Sequence, residues 1–426
     1  MTYDEAVNWL ETPDKRFHKA DKEAFSVLME KLGDPQDTLR FIHVTGSNGK
    51  GSICVMLAEI LQKAGYRTGL YTSPHLSVYN ERCRVNGTDI PDADLARLAD
   101  KVKKEAERQE LSLGLFYKMT AVAFLYFAEK ECSIVVLEVG RGGRRDCTNI
   151  VKTTELSIIG SISLEHTEVL GSTIAEIARE KSGIFRKGAA ALMLYQSEEA
   201  MEAARKSAGE CGAKLSLTDP GELLVEERNS TGQTLSYRSR KHLKLSCPGP
   251  YQAENAQVVL DAVDILKTRG LRIPEKAVRS ALSTLCWPGR FETVHEKPMI
   301  LIDGAHNIGA VSALADGLRS SFPGRRFIFL MTLLWDRPWQ DMLRAVEPLA
   351  SSFIAVRTDD PKALRDDELA AWIRENTAIP AFTADNEENA LHLALSMASE
   401  EGCICVFGSL YLAGAVRDLV LRNNNS

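Results

Sequence analysis

Apolar residues fall into two patterns that alternate along the chain. Short continuous apolar runs bounded by Gly, Pro and polar residues are typical of strands buried on both faces. Longer stretches between them space their apolar positions along one face of a helix. This alternation predicts βαβ units on a mostly parallel sheet and therefore an α/β fold. The strands predicted first are Phe41–Val44, Ile134–Val139, Leu156–Ile162 and Ala190–Leu194, and the helices are Ser52–Ala64, Thr120–Lys130 and Gln252–Lys267.

A second series of the same kind follows a break in the pattern. The break, Trp287–Val294, contains the turn-forming pair Pro288–Gly289. We therefore predict two domains, residues 1–292 and a smaller one at 293–426. Residues 209–247 are more polar and β-branched, which predicts an antiparallel edge of the first domain with a hairpin turn at Asn229–Gly232. The second series comprises strands Met299–Ile302, Phe327–Met331, Phe353–Val356 and Cys403–Phe407 and helix Gly309–Ser320.

Composition narrows the class of partner. The chain has 426 residues, 44% of them hydrophobic and 26% charged, with a net charge of −6. That length can bury full cores without disulfides or metals. We expect no nucleic-acid partner, because no dense basic stripe is present, and no membrane span, because no apolar run approaches about 20 residues. The polar first 20 residues predict no secretory signal, and nine cysteines without a CxxC pair favour reduced thiols in the cytoplasm.

The strongest local signal is a Gly-rich turn between the first strand and its helix. It runs Gly46-Ser-Asn-Gly-Lys-Gly-Ser52. The N–H groups of such a turn and the helix N-terminus bind phosphate oxygens, Lys50 would neutralise the β- and γ-phosphates, and the Ser52 hydroxyl could reach Mg²⁺. The spacing departs from the usual Walker pattern, since three residues separate Gly46 from Lys50 and Gly51 precedes Ser52. The alternative is a Gly-rich turn with a surface lysine, and we favour phosphate binding.

With this spacing, His43–Ser52 resembles the ATP loop of folylpolyglutamate synthases and dihydrofolate synthases, members of the Mur-ligase superfamily. The resemblance implies a P-loop-type, mostly parallel N-terminal domain and a Rossmann-like α/β C-terminal domain. It continues in order through Leu32–Gln36, Thr72–Leu76, Asn80–Arg82, Val85–Gly87, Glu138–Asn149, Glu165–His166, Leu170–Gly171, Glu180–Ile184, Gln252–Asn255, Trp287–Arg290, Asp303–Asn307 and Gly408–Tyr411.

The resemblance implies an ATP-dependent ligase that adds L-glutamate to a folate- or dihydropteroate-type acceptor. The acceptor carboxylate attacks the γ-phosphate, and the amino group of glutamate then opens the acyl phosphate. Such chemistry needs Mg²⁺ and cationic side chains rather than a protein nucleophile. We expect a monomer. The catalytic residues implied are Lys50, Glu138, His166 and Lys181, and the magnesium ligands are Ser52, Ser73, Glu138 and His166.

Further roles are implied by position in the matching motifs. Lys181 would be carbamylated, which requires a neutral and therefore buried amine; the alternative is a solvated lysine paired with Glu180. Without the motif, His166 would be interpreted as structural. For Glu138 the alternative is a surface carboxylate at a strand end, but a carboxylate after the apolar run Ile134–Leu137 is costly unless it is paired or metal-bound, which favours a ligand. ATP would be bound by Gly46, Ser47, Asn48, Gly49, Lys50, Gly51, Ser52, Asn255, Arg290, Asp303 and His306, and Ser409 would face glutamate.

Three departures from the family pattern concern the acceptor. Tyr117 stands where an acid is expected, Arg141 and Arg145 stand where apolar residues are usual, and Asp336-Arg-Pro338 replaces an Asp-Lys-Asp cluster. Losing an acid and gaining two cations favours a more anionic acceptor, bound by Arg141 and Arg145. Family drift with solvent-facing charges is an equal alternative.

Two other functions remain open. One is a related amide ligase that acts on a different, more anionic carboxylate. The other is a nucleotide-binding regulatory protein with a dead site, which predicts loss of residues such as Lys50 or Lys181. Both lysines are present.

Overall fold

The structure is a computed structural model that describes residues 1–12 and 21–423. Part of the polar N-terminal stretch used above, residues 13–20, lies outside the described residues. Contacts divide the chain into two compact units, the first comprising Met1–Leu224, Ser236–Leu243 and Glu254–Leu285, and the second Val225–Leu235, Lys244–Ala253 and Cys286–Ser426. The boundary between functional domains at 292/293 stays a prediction.

The first unit is built on an eight-stranded, mostly parallel sheet. Its strands are β1 (Phe41–Thr45), β2 (Thr68–Tyr71), β3 (Cys83–Val85), β4 (Thr88–Asp89), β5 (Ile134–Glu138), β6 (Thr154–Ile159), β7 (Ala190–Met193) and β8 (Lys214–Leu217). Its helices are α1 (Tyr3–Glu11), α2 (Asp21–Lys31), α3 (Lys50–Lys63), α4 (Asp92–Arg108), α5 (Leu115–Glu129), α6 (Thr167–Leu170), α7 (Ile174–Lys181), α8 (Glu198–Cys211), α9 (Gln252–Thr268) and α10 (Glu275–Thr284), with α9 starting in the second unit.

Strand order puts the Gly-rich turn at a crossover point of this sheet. The order is β4-β3-β2-β5-β1-β6-β7-β8, and β1 pairs in parallel with both β5 and β6. All five residues of β1 are buried, as are all five of β5. Because parallel strands end at the same edge, the segments after β1, β2, β5 and β6 meet there, which is where open α/β sheets bind ligands. The predicted parallel α/β fold is confirmed for this unit.

The predicted antiparallel edge at 209–247 is wrong. Only β8 from this region joins the large sheet, and it pairs in parallel with β7 because helix α8 connects the two strands. The strands β9 (Leu223–Asn229), β10 (Gly232–Tyr237) and β11 (Arg240–Leu245) form a separate three-stranded sheet in the order β11-β10-β9. The predicted turn at Asn229–Gly232 does join β9 to β10, and the Asn229 side chain accepts hydrogen bonds from the N–H groups of Thr231 and Gly232, both at 3.0 Å.

The second unit contains a six-stranded mixed sheet with the order β12-β13-β17-β14-β15-β16. All neighbours pair in parallel except β12 and β13. Its core is rich in Phe, including Phe327, Phe329, Phe353 and Phe407. The strands are β12 (Glu292–Glu296), β13 (Met299–Ile302), β14 (Phe327–Met331), β15 (Ala350–Val356), β16 (Ala381–Ala384) and β17 (Cys403–Phe407), and the helices are α11 (Ile308–Ser321), α12 (Trp339–Val346), α13 (Asp366–Asn376), α14 (Glu387–Met397) and α15 (Leu410–Asn423).

No helix among the described residues combines the length and the apolar composition needed to cross a membrane.

Candidate active site

The Gly-rich turn connects β1 to the N-terminus of α3. Gly49 caps this helix with a positive φ of 80°. A Cβ at Gly49 would lie 2.3 Å from Oδ1 of Asn255, which belongs to α9 in the same unit. A side chain at position 49 is therefore excluded both by the backbone conformation and by space. The turn thus leads directly into a helix N-terminus, a geometry suited to phosphate.

The turn is fastened to the segment that follows β6. The N–H of Ser47 donates to the carbonyl of Ser161 over 2.6 Å. The Ser47 hydroxyl donates to the carbonyl of Ser163 (3.1 Å) and accepts from the N–H of the same residue (3.0 Å). Lys50 folds back over the turn, and its Nζ donates to the carbonyls of Gly46 (2.9 Å) and Ser47 (3.1 Å). The Lys50 ammonium group and the phosphate-binding turn that the sequence predicts therefore lie together.

A second lysine, Lys181, reaches the same turn from the C-terminal end of α7. Its side chain is 1% exposed, and its Nζ donates to Oε1 of Glu165 (2.7 Å) and to the carbonyl of Gly46 (2.8 Å). Burial, which Glu165 only partly offsets, lowers the pKa of Lys181 to about 8. Burial acts in the opposite direction on Glu165, but the charges of Lys50 and Lys181 lower its pKa to about 2.

The pair Lys181–Glu165 corrects one prediction and adds one residue to the site. A solvated Lys181 paired with Glu180 is wrong, because the side chain is buried and its carboxylate partner is Glu165. Glu165 was missing from the predicted site residues. The sequence signal that could have identified Glu165 is its position beside His166 in a matching motif. Its pairing with Lys181, 16 positions away, could not be predicted without the fold.

The carboxylate of Glu138 lies at the end of β5. It is 4% exposed, and its Oε2 accepts a hydrogen bond from the N–H of Ser73 over 2.8 Å. The alternative of a surface carboxylate is therefore wrong. Ser73 follows β2, which neighbours β5 in the sheet, and Ser52 is buried in the first turn of α3. The structure thus brings Glu138 and Ser73 into contact.

His166 lies in the loop that follows β6. It has a positive φ of 46° and caps the short helix α6, and its Nδ1 is 3.7 Å from Oε1 of Glu168. Within the described residues, no group of three or more His, Cys, Asp and Glu side chains could hold a metal. The oxygen-rich set of Glu138, Ser52 and Ser73 still fits Mg²⁺, because this ion commonly takes only one or two carboxylates and completes its shell with water and phosphate oxygens.

The loop after β5 packs between β1 and α7. The Thr45 hydroxyl donates to the carbonyl of Gly142 (2.6 Å), and the N–H of Arg145 donates to Oε1 of Glu180 (3.1 Å). The buried carboxylate of Asp146 accepts from the N–H of Arg141 (2.9 Å) and from the Thr148 hydroxyl (2.6 Å), and burial raises its pKa. These contacts fix the backbone of the loop.

The backbone of this loop is held by hydrogen bonds, but the side chains of its two arginines are not held in the same way. Arg141 and Arg145 are exposed, and no carboxylate among the described residues pairs with either guanidinium. Both charges are therefore available to an anionic ligand.

Four predicted residues belong to the second unit. Arg290 donates to the carbonyl of Gly289 (3.1 Å), and the exposed His306 contacts the carbonyl of Gly304 through Nδ1 (2.8 Å). Ser409 follows β17, and its hydroxyl accepts from the N–H of Tyr411 (3.2 Å). Asp303 is 4% exposed and is hydrogen-bonded to protein donors through both oxygens.

The chain is similar to domains and proteins of known family. Residues 44–263 match the Mur ligase middle domain, and residues 289–410 match the glutamate ligase domain of Mur ligases. A dihydrofolate synthase/folylpolyglutamate synthase of Bacillus subtilis is 33% identical over 97% of this chain and 98% of its own length. The crystal structure of a Thermotoga maritima folylpolyglutamate synthase superposes with a TM-score of 0.85 at 31% identity, covering 99% of this chain and 97% of the other. Escherichia coli FolC in complex with DHPP and ADP gives a TM-score of 0.87 at 28% identity, covering 100% and 99%.

Proposed function

This chain belongs to the folylpolyglutamate synthase and dihydrofolate synthase family of Mur ligases, and on that premise we propose that it joins L-glutamate to a folate- or dihydropteroate-type carboxylate with hydrolysis of ATP to ADP and phosphate. The observation that carries the proposal is the convergence of two lysines on one Gly-rich turn. Lys50 and Lys181 both donate to the carbonyl of Gly46, at the N-terminus of α3. The Lys50 cation and a helix N-terminus at one point suit a triphosphate, and Lys181 lies beside them as the buried amine of the site.

The nucleotide phosphates bind along the turn. Backbone N–H groups at the N-terminus of α3 donate to the phosphate oxygens, whereas the N–H of Ser47 stays bonded to the carbonyl of Ser161. Lys50 exchanges its carbonyl partners for the β- and γ-phosphates. Asn255, which packs against Gly49, lies on the adenine side. The resemblance assigns Arg290, Asp303 and His306 of the second unit to the same nucleotide.

Glu138, Ser52, Ser73 and His166 would hold Mg²⁺. When bound, this ion would supply positive charge that neutralises the phosphate oxygens during phosphoryl transfer. The buried carboxylate of Glu138 supports this role, because an anion at a strand end is costly to bury without a cation. Its hydrogen bond from Ser73 orients one oxygen and leaves acceptor capacity on the other.

Lys181 is the group that CO₂ modifies. Carbamylation needs a neutral amine, and burial already lowers the pKa of Lys181 to about 8, so a useful fraction is neutral near that pH. The modified side chain would become an anion next to Lys50. Incubation with ¹³C-bicarbonate should give a carbamate carbon resonance that is absent from Lys181→Met, and identical spectra of the two proteins would contradict the modification.

The chain's residues support two successive bond changes. An oxygen of the acceptor carboxylate forms a bond to the γ-phosphorus as the bond to the β-phosphate oxygen of ADP breaks, with Lys50 stabilising the charge that develops. The amino nitrogen of glutamate then attacks the acyl carbon, phosphate leaves, and the nitrogen loses a proton. We place the acceptor near Arg141 and Arg145 and the incoming glutamate near Ser409.

The experiment measures ADP release and the mass of the product with glutamate and either dihydropteroate or tetrahydrofolate. We expect one acceptor or both to gain a glutamyl residue. Lys50→Ala should lower turnover at least about 100-fold, as expected for loss of a group that stabilises transition-state charge. Lys63→Ala, at the opposite end of α3, is the matched control and should leave turnover unchanged. Normal turnover in Lys50→Ala would contradict the proposal.

The exposed arginines also favour a second candidate, a ligase for another, more anionic carboxylate. In that case neither pteroyl acceptor reacts, while a different polyanionic acid supports glutamate-dependent ADP release that still requires Lys50.

A further inference from the structure

The strand that leads into the Gly-rich turn also directs two side chains at the loop after β5. His43 and Thr45 are two positions apart in β1, so they lie on the same face of the sheet, and both are fully buried. The Thr45 hydroxyl donates to the carbonyl of Gly142 in this loop over 2.6 Å. Nε2 of His43 lies 2.9 Å from the hydroxyl of Thr148, in the short helical turn that ends the loop. One strand therefore contacts the loop after β5 and continues directly into Gly46.

The hydrogen bonds of Thr148 show which group donates in its contact with His43. The Thr148 hydroxyl gives its single hydrogen to Oδ1 of Asp146 over 2.6 Å, and a hydroxyl whose hydrogen is used can only accept from a second partner. Asp146 is an acceptor here, because backbone N–H groups also donate to both of its oxygens, that of Thr148 to Oδ1 (3.0 Å) and that of Arg141 to Oδ2 (2.9 Å). Nε2 of His43 therefore carries a hydrogen and donates it to Thr148. A chain of hydrogen bonds runs from His43 through Thr148 to Asp146.

His43 takes part in this chain as a neutral imidazole. Burial lowers its pKa to about 3, and the nearby cations Arg186 and Lys22 act in the same direction. A neutral imidazole carries one hydrogen, which is on Nε2, so Nδ1 is left as an acceptor. Nδ1 is buried and has no hydrogen-bond partner among the described residues. Burying an unpaired acceptor costs free energy that an apolar side chain would avoid, which indicates that this position requires the donor on Nε2.

The loop after β5 is also attached to the end of α7 that carries Lys181. The N–H of Arg144 donates to the carbonyl of Glu180 over 2.9 Å. A Cβ at Gly143 would lie 2.7 Å from the carbonyl oxygen of Lys181, so the two backbones are in contact there. The loop is thus fixed against β1 on one side and against α7 on the other, and all of these residues belong to the first unit.

We propose that His43 is a positioning residue for the acceptor site. Its side chain is fully buried and contacts neither substrate. Through Thr148 and Asp146 it holds the loop that carries the two exposed arginines, and it ties that loop to the strand that ends in the Gly-rich turn. The distance between the bound acceptor and the γ-phosphate therefore depends on this chain of hydrogen bonds. The inference rests on the proposed function, because it needs an acceptor that binds beside the loop.

The test compares variants of the full chain by kcat, KM for ATP and KM for the acceptor, with dihydropteroate or tetrahydrofolate as the acceptor. His43→Leu is similar in size but donates no hydrogen bond, and we expect KM for the acceptor to rise about 10-fold while KM for ATP stays unchanged. His43→Gln places an amide N–H near the position of Nε2 and should restore most of the acceptor binding.

A second variant breaks the same chain at its middle. Thr148→Val keeps the shape of the side chain and removes the hydroxyl, and it should raise KM for the acceptor to a similar extent. It keeps the test available if His43→Leu does not fold. The double variant His43→Leu/Thr148→Val should be no worse than the worse of the two single variants, because the histidine acts only through the threonine.

The matched control is Tyr237→Phe. This substitution also removes a buried hydrogen bond in the first unit, from the Tyr237 hydroxyl to the carboxylate of Asp261, but it touches neither β1 nor the loop after β5. Its KM for the acceptor should match that of the unmodified protein. A general loss of stability would affect this variant as well.

A further readout does not depend on catalysis. Hydrogen exchange in a peptide that spans residues 141–148 should be faster in His43→Leu and Thr148→Val, and unchanged in His43→Gln and Tyr237→Phe. The proposal is overturned if exchange is unchanged in both of the first two variants, if KM for ATP rises as much as KM for the acceptor, or if His43→Gln is no better than His43→Leu. Faster exchange in a protein that ligates neither acceptor would mean that the proposed function has failed while His43 holds the loop as described.

Discussion

Substitutions in the buried pair Lys181–Glu165 should change the stability of the protein and its activity independently. Lys181→Met leaves the Glu165 carboxylate in a site that is 9% exposed without its closest cation. The double variant Lys181→Met/Glu165→Gln removes both charges and keeps the volumes similar. We expect the single variant to be unstable and inactive, and the double variant to be stable and still inactive.

The pH dependence of this pair follows from the two pKa shifts. The decrease for Glu165 from 4.5 to about 2 corresponds to about 3 kcal/mol of stability. This stability is fully present above pH 4.5 and is lost as the pH falls toward 2, because the unfolded state, in which the pKa of Glu165 is higher, binds the proton first. The decrease for Lys181 from 10.5 to about 8 is a cost of about the same size below pH 8, relieved as the pH rises from 8 to 10.5.

Breaking a buried ion pair by removing one partner leaves an uncompensated buried charge, whereas replacing both partners is often nearly neutral. Removing Lys181 alone should therefore cost about 3 kcal/mol, and removing both charges should change the free energy of unfolding by less than about 1 kcal/mol. The assay is thermal unfolding at pH 7, in which we expect the midpoint of the single variant to be lower by about 6 °C. Turnover is measured on the same preparations.

The matched control is Lys152→Met. Its ammonium pairs with Asp37 over the same 2.7 Å, but the lysine is 71% exposed. Solvent screens such a pair, so the unfolding midpoint should not change. The reasoning is refuted if Lys181→Met unfolds at the same temperature as the unmodified protein, or if the double variant is as unstable as the single one.

Two further predictions test the turn and the loop after β5. Gly49→Ala combines a positive φ with a Cβ 2.3 Å from Asn255, so kcat/KM for ATP should fall at least 10-fold; Gly65→Ala has a φ of 94° but no atom within 4 Å of its Cβ, and it should keep normal ATP kinetics. Equal kinetics in the two variants would show that the close approach is irrelevant. Arg141→Gln/Arg145→Gln should raise KM for the acceptor several-fold, weaken its dependence on salt and leave KM for ATP unchanged. An unchanged KM for acceptors of every charge would assign these arginines to solvent.

The sequence was sufficient for most of the parallel core. Strands predicted at Phe41–Val44 and Cys403–Phe407 are observed as β1 and β17 almost residue for residue. Strands buried on both faces must be apolar throughout, so their bounds are visible without the fold. Helix starts were less accurate: α5 begins at Leu115 rather than Thr120, and α3 at Lys50 rather than Ser52. Apolar spacing does not mark the first turn of a helix.

The sheet to which each polar strand belongs could not be predicted from its apolar pattern. The burial of β9 alternates along most of its length, and nothing in that alternation says which sheet the strand joins. Its membership in a separate three-stranded sheet is decided by tertiary packing, and so is the parallel pairing of β8.

At the site, the order of residues along the chain is enough to tell which chemical groups are present and that several of them follow strands of one sheet. The turn at Gly46–Ser52 and the carboxylate of Glu138 could be located in this way, because parallel strands end at a common edge. Only the tertiary structure decided partners. Lys181 is neutralised by Glu165 rather than by its neighbour Glu180, and Asp303 is hydrogen-bonded to backbone groups and to Tyr251. The physical reason is that burial sets the energy of a charge and the identity of its partner, and both depend on which segments the fold brings together.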